Sequence, residues 1–148
     1  MTKENVLLRI LYTGAGIIIL EAALLTVVIL PCVIINKSTE TTTGNSAVWI
    51  LVMVILHLLI LYAFREAIIV NGRNGHLENI VFIASGTLLL LFGLMLTNGA
   101  LRFSRQMKMH LASISMFICV GCDFFAAVIA FTALFLQPRK RIIGKNNF

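Results

Sequence analysis

Three ionisable side chains interrupt long apolar runs in this chain: Glu21, His57 and Asp123. Counted at 1.5 Å per residue from the nearest edge of its run, Glu21 is about 16 Å deep, His57 about 15 Å and Asp123 about 18 Å. An ionised acid near a bilayer midplane costs at least about 2.5–3.5 kcal/mol on insertion scales, so each group is expected to face a bundle interior, a partner subunit or water. The carboxyl groups are then neutral donors unless His57 or a bound cation supplies positive charge. Two chemistries follow. One is a proton or cation relay through a Glu-His-Asp layer. The other, commoner for such groups, is hydrogen bonding that fixes helix packing within or between subunits.

A second candidate is Cys119-Val-Gly-Cys122, a C-x-x-C directly before Asp123. It resembles the fourth-helix motif of vitamin K epoxide reductase-type membrane thiol oxidoreductases, which also have four helices. That family relays electrons through a second Cys pair in a loop, and the only other Cys here is Cys32. A thiol in lipid also lacks a charged neighbour to generate the reactive thiolate. Small apolar packing is therefore the ordinary role of Cys119 and Cys122. No phosphate-cradling Gly loop, H-E-x-x-H or carboxylate-rich loop is present, so no catalytic residue, metal or cofactor is expected, and the protein reads as a non-enzyme.

These groups must be positioned by membrane helices. Of 148 residues, 59% are hydrophobic and 12% charged, against about 25% charged in soluble domains. A spanning helix needs about 20 apolar residues, and four runs qualify: 10–35, 47–70, 80–101 and 111–136. The expected fold is all-α, a single integral four-helix bundle with short loops. Trp49 and Tyr62 lie roughly 20 Å apart along the second helix, suiting anchors at the two interfaces. His76, in Asn71-Gly-Arg-Asn-Gly-His-Leu-Glu78, reads as a turn residue. Small residues are spaced for close helix approach: Gly14 seven before Glu21, Gly86 seven before Gly93, and Cys122, Ala126 and Ala130 every four. They predict tight contacts, internal or with another subunit.

An even number of spans puts both termini on one side. Eight basic residues (Lys3, Arg9, Arg65, Arg73, Arg139, Lys140, Arg141, Lys145) share that side, and four (Lys37, Arg102, Arg105, Lys108) fall opposite. The positive-inside rule makes both termini cytosolic, in the plasma membrane or endomembranes. Asn36-Lys37-Ser38, a glycosylation triplet, agrees with this orientation but lies close to the bilayer. The first run is too long for a cleavable signal peptide and is expected to act as its own insertion signal. Arg139, Lys140, Arg141 and Lys145 emerge among anionic lipid headgroups, where each contributes about 1 kcal/mol of attraction. The net charge of +6 is thus assigned to topology and lipid contact, with no nucleic-acid partner.

The layout resembles a MARVEL-type tetraspan. Two local patterns carry the likeness: an acid within an apolar first helix (Ile17-Ile-Ile-Leu-Glu21-Ala-Ala-Leu-Leu) and an aromatic, small and acidic pattern from Ala112 to Asp123. The resemblance implies a non-enzymatic protein that organises membranes or accompanies a larger complex. The leading expectation is accordingly a structural or accessory subunit that assembles laterally, as a homo-oligomer or with another membrane protein. A proton or cation channel or transporter using Glu21, His57 and Asp123, and a thiol oxidoreductase, are the alternatives.

Overall fold

The computed structural model describes residues 3–35, 43–70, 75–105 and 110–136. Asn36 and the basic residues Arg139, Lys140, Arg141 and Lys145 lie outside them. The described chain is all helical. The first span comprises α1 (Lys3–Leu24), a π-helical turn (Leu25–Ile29) and α2 (Leu30–Ile35). Then come α3 (Thr43–Val70), α4 (Gly75–Ser104) and α5 (His110–Leu136). Four stretches are long and apolar enough to cross a bilayer: Asn5–Ile35, Ala47–Glu66, Asn79–Ser104 and His110–Leu136.

Helix ends overrun the apolar runs. The first helix starts at Lys3 and α4 at Gly75, so His76 lies in a helical turn and not in the connection. Apolarity marks where lipid begins, whereas a helix continues through polar residues until its backbone is broken. α3 is described to Val70, and the expected break at Asn71-Gly72 lies outside the described residues.

The buried positions follow a repeat of alternating three- and four-residue steps. On α3 they are Ile50, Met53, His57, Ile60 and Phe64; on α5 they include Met116, Cys119, Asp123, Ala126, Ala130 and Ala133. This 3.5-residue period belongs to helices packed at shallow angles in a left-handed bundle. The opposite faces are equally apolar, with Val27, Leu59, Phe125 and Phe135 among the exposed side chains. Such helices, apolar all round, are those of a bilayer. Trp49 and Tyr62 point outward, in keeping with a role at the interfaces.

The first span keeps the same repeat only because of its π turn. Leu7, Leu11, Gly14, Ile18, Glu21 and Leu25 alternate fours and threes, and the stripe then resumes at Ile29 and Val33. A strict repeat would reach 28 and 32. The wider turn absorbs one extra residue and returns the apolar stripe to the core. Its local cause is Pro31, which has no N–H and whose ring would strike the carbonyl four residues back. Within the turn the Leu30 N–H donates to the Leu25 carbonyl, five residues back. The Thr26 hydroxyl donates to the Ala22 carbonyl at 2.7 Å.

Packing is uneven. The fourth span, α5, packs extensively on α4 and also on α1, and α1 packs on α3. By contrast α3 touches α4 only sparsely. Glycines permit the close approaches. A Cβ on Gly14 would fall 2.8 Å from Ile129 Cγ2 and 3.0 Å from the Phe64 ring, and one on Gly86 would fall 2.9 Å from the Phe131 ring. Ser113, itself buried, donates its hydroxyl to the Ala100 carbonyl at 3.0 Å and ties α5 to α4.

Candidate intramembrane polar site

Glu21, His57 and Asp123 each sit near the middle of a span and in the buried repeat of α1, α3 and α5 respectively. Since α1 lies against both α3 and α5, the three side chains converge on one point. All three are completely buried. His57 Nε2 lies 3.3 Å from Asp123 Oδ1 and 3.4 Å from Glu21 Oε1. One potential ligand atom from each residue falls within 4.8 Å of the other two.

The orientation of the imidazole is fixed from behind. His57 Nδ1 donates to the Met53 carbonyl, one turn earlier on α3, at 2.7 Å. A carbonyl only accepts, so Nδ1 carries the hydrogen. The other ring nitrogen, Nε2, then faces both carboxyl groups. Phe92 of α4 stacks on the imidazole with ring centroids 5.1 Å apart and an interplanar angle of 30°. Gly93 of α4 lies behind Asp123: a Cβ there would make ordinary contacts, 3.4 Å from Asp123 Cβ and from the Phe124 ring.

The site is under-satisfied. Asp123 Oδ1 is within hydrogen-bonding distance of Nε2, whereas with both acids ionised Asp123 Oδ2 and both carboxyl oxygens of Glu21 are buried without a donor; the two carboxyl groups are close enough to share a hydrogen bond once one is protonated. Glu21 Oε1 is near enough to Nε2 for an ion pair but is not aligned for a hydrogen bond. Unpaired polar atoms in a bilayer interior cost several kcal/mol each. A proton shared among the groups, or a cation among their oxygens, would relieve that cost.

Gly14, Gly86, Gly93, Ala126 and Ala130 are buried within the chain, so their close contacts are internal to the bundle. Cys122 is half-buried and Cys119 completely buried on α5, with Cys119 one turn before Asp123. Two contributors were not legible in the sequence. Met53 stands four residues before His57, the spacing at which a carbonyl is reached along a helix, but nothing marks it among the apolar residues. Phe92 carries no signal at all.

No family model, curated protein or solved structure matches the chain. Four long apolar helices, with ionisable groups gathered between three of them, define a multi-pass integral membrane protein of the tetraspan kind.

Proposed function

We propose that this four-span protein binds and moves a small cation, a proton included, at the Glu21–His57–Asp123 cluster. One observation carries the reading: three ionisable side chains from three helices meet at mid-span, fully buried, with one potential ligand atom from each within 4.8 Å of the others. Intramembrane ionisable clusters of this type mark ion and proton pathways. Both termini are taken as cytosolic from the distribution of Lys and Arg.

The test is flux in proteoliposomes holding a pH-sensitive dye or a dye selective for the cation applied, under imposed gradients of H⁺ and then of Na⁺, K⁺, Ca²⁺ and Zn²⁺. At least one gradient is expected to drive flux in the full chain, with Glu21→Gln and Asp123→Asn abolishing it. Silence under every gradient overturns the reading.

A second reading, lateral assembly as a structural or accessory subunit, has its own supporting observation. The seam between α3 and α4 is sparsely packed and leaves a cleft of about 230 Å³ bordered by Trp49, Met53, Leu96, Arg102 and Met116. A partner helix seated there would add the contacts that α3 and α4 do not make with each other. Cross-linking and mass spectrometry after extraction in mild detergent should then give one defined larger complex, with cross-links on α3 and α4. A lone monomer eliminates it.

A further inference from the structure

We infer that Glu21, His57 and Asp123 form a site that takes up one divalent transition cation, of the Zn²⁺ type, in exchange for two protons. The inference rests on the cation-handling reading and names its cargo. It starts from the tautomer. Because Nδ1–H is given to the Met53 carbonyl, a neutral His57 presents the Nε2 lone pair to the two carboxyl groups. An imidazole that bonds a metal through one nitrogen commonly donates its other N–H to a backbone carbonyl, which holds the ring in place. The same bond is already made here.

Distance points the same way. Zinc bonds to His nitrogen at about 2.0–2.1 Å and to carboxylate oxygen at about 2.0–2.2 Å, which puts neighbouring ligands of a tetrahedral site about 3.3–3.5 Å apart. The Nε2–oxygen separations are 3.3 and 3.4 Å. They exceed the about 2.7–2.9 Å of a charge-assisted N–H···O bond. Two of the three ligand separations are thus those of a tetrahedral site, and the third, between the carboxyl groups, is within 4.8 Å. One imidazole with two carboxylates suits Zn²⁺ and its neighbours in the first transition row. Three protein ligands leave the fourth position open, as expected of a site that is loaded and unloaded.

Charge sets the stoichiometry. With both carboxyl groups ionised and His57 neutral, the buried cluster carries two negative charges, which a low-dielectric interior does not tolerate. Two protons neutralise it, whether both sit on carboxyl groups or one on a carboxyl group and one on Nε2. One divalent cation also neutralises it. The exchange balances as doubly protonated site plus M²⁺ giving the M²⁺-loaded site plus two H⁺, without redox change. Glu21 and Asp123 act electrostatically on the neighbouring thiols Cys119 and Cys122 of α5. The ring that α4 stacks on His57, Phe92, is uncharged. The cleft between α3 and α4 is lined by Met53, one turn from His57, and by Met116, both flexible side chains.

The experiment is calorimetric titration of the purified full chain in detergent with ZnCl₂, repeated in buffers of different ionisation enthalpy. Saturation at one Zn²⁺ per chain, with about two protons released, is expected. Glu21→Gln with Asp123→Asn, which keeps side-chain shape and removes the negative charge, should weaken binding by at least about 100-fold and abolish proton release. His57→Gln supplies an independent variant should the double one fail to fold by circular dichroism, and should weaken binding comparably. No saturable binding, binding untouched by these variants, or binding without proton release overturns the inference. If Glu21-dependent flux of H⁺ or Na⁺ then persists in proteoliposomes, only the choice of cargo has failed; if every gradient is silent, the cation-handling reading has failed as well.

Discussion

Replacing His57 with Leu should destabilise the protein more than replacing all three members of the cluster with apolar residues. The single change removes the Nε2 contact to Asp123, and an interhelical polar contact in a membrane contributes about 0.6–1.7 kcal/mol. It also removes the stack on Phe92, worth about 0.5–1.5 kcal/mol. It leaves two buried acids facing each other with no imidazole between them, at about 1–3 kcal/mol for stranded acceptors. The sum is about 2–6 kcal/mol. In Glu21→Met/His57→Leu/Asp123→Leu the stack is still lost, but no polar atom remains to be stranded, and Leu has the branching and heavy-atom count of Asp. That variant should lose only about 1–2 kcal/mol. Thermal unfolding in detergent, followed by the fluorescence of Trp49 and by helical circular dichroism, provides the comparison. The triple variant should unfold at the higher temperature while losing all ion flux. Equal or lower stability of the triple variant relative to His57→Leu would refute the argument that the cluster is held against an electrostatic cost.

Two further outcomes follow from packing. Gly14→Ala should cost about 1–3 kcal/mol, because the new Cβ meets Ile129 and Phe64, whereas Gly16→Ala, with nothing within 4 Å, should be neutral or stabilising by up to about 1 kcal/mol; the two melting temperatures check this directly. Deleting exposed Val27 together with Pro31→Ala removes the extra residue of the π turn and should preserve melting temperature and Zn²⁺ affinity. Deleting Ile19 instead rotates the stretch around Glu21 by about 100° and should abolish both.

Much of the architecture was legible because a bilayer imposes a length and a polarity that few residues satisfy by accident. Four apolar runs predict four membrane-spanning helices, and four helices long and apolar enough to span are found. Glu21, His57 and Asp123 stand out because ionisable residues at mid-span are costly anywhere except inside the bundle. The ends of α1 and α4 were not legible, since helix propensity carries the backbone past the edge of the apolar run. Nor was the π turn, although Pro31 advertised a disturbance: only the positions of Ile29 and Val33 in the core reveal that a residue has been absorbed. The spacing of Gly14, Gly86, Gly93, Ala126 and Ala130 predicts close contacts but leaves open whether the neighbour is the same chain. The structure places those contacts inside it.

By itself, then, the sequence determined that this chain is a four-span membrane protein with an unusual polar layer, because hydropathy and depth depend only on order along the chain. What tertiary structure alone decided is that the layer is a single site. Glu21, His57 and Asp123 could have pointed to three different neighbours at the same depth. They meet because α1 packs against both α3 and α5, because the π turn keeps the first span's stripe facing inward, and because the Met53 carbonyl turns Nε2 toward the two acids. The chemistry resides in that 3.3–3.4 Å convergence, a property of helix rotation that linear spacing does not encode.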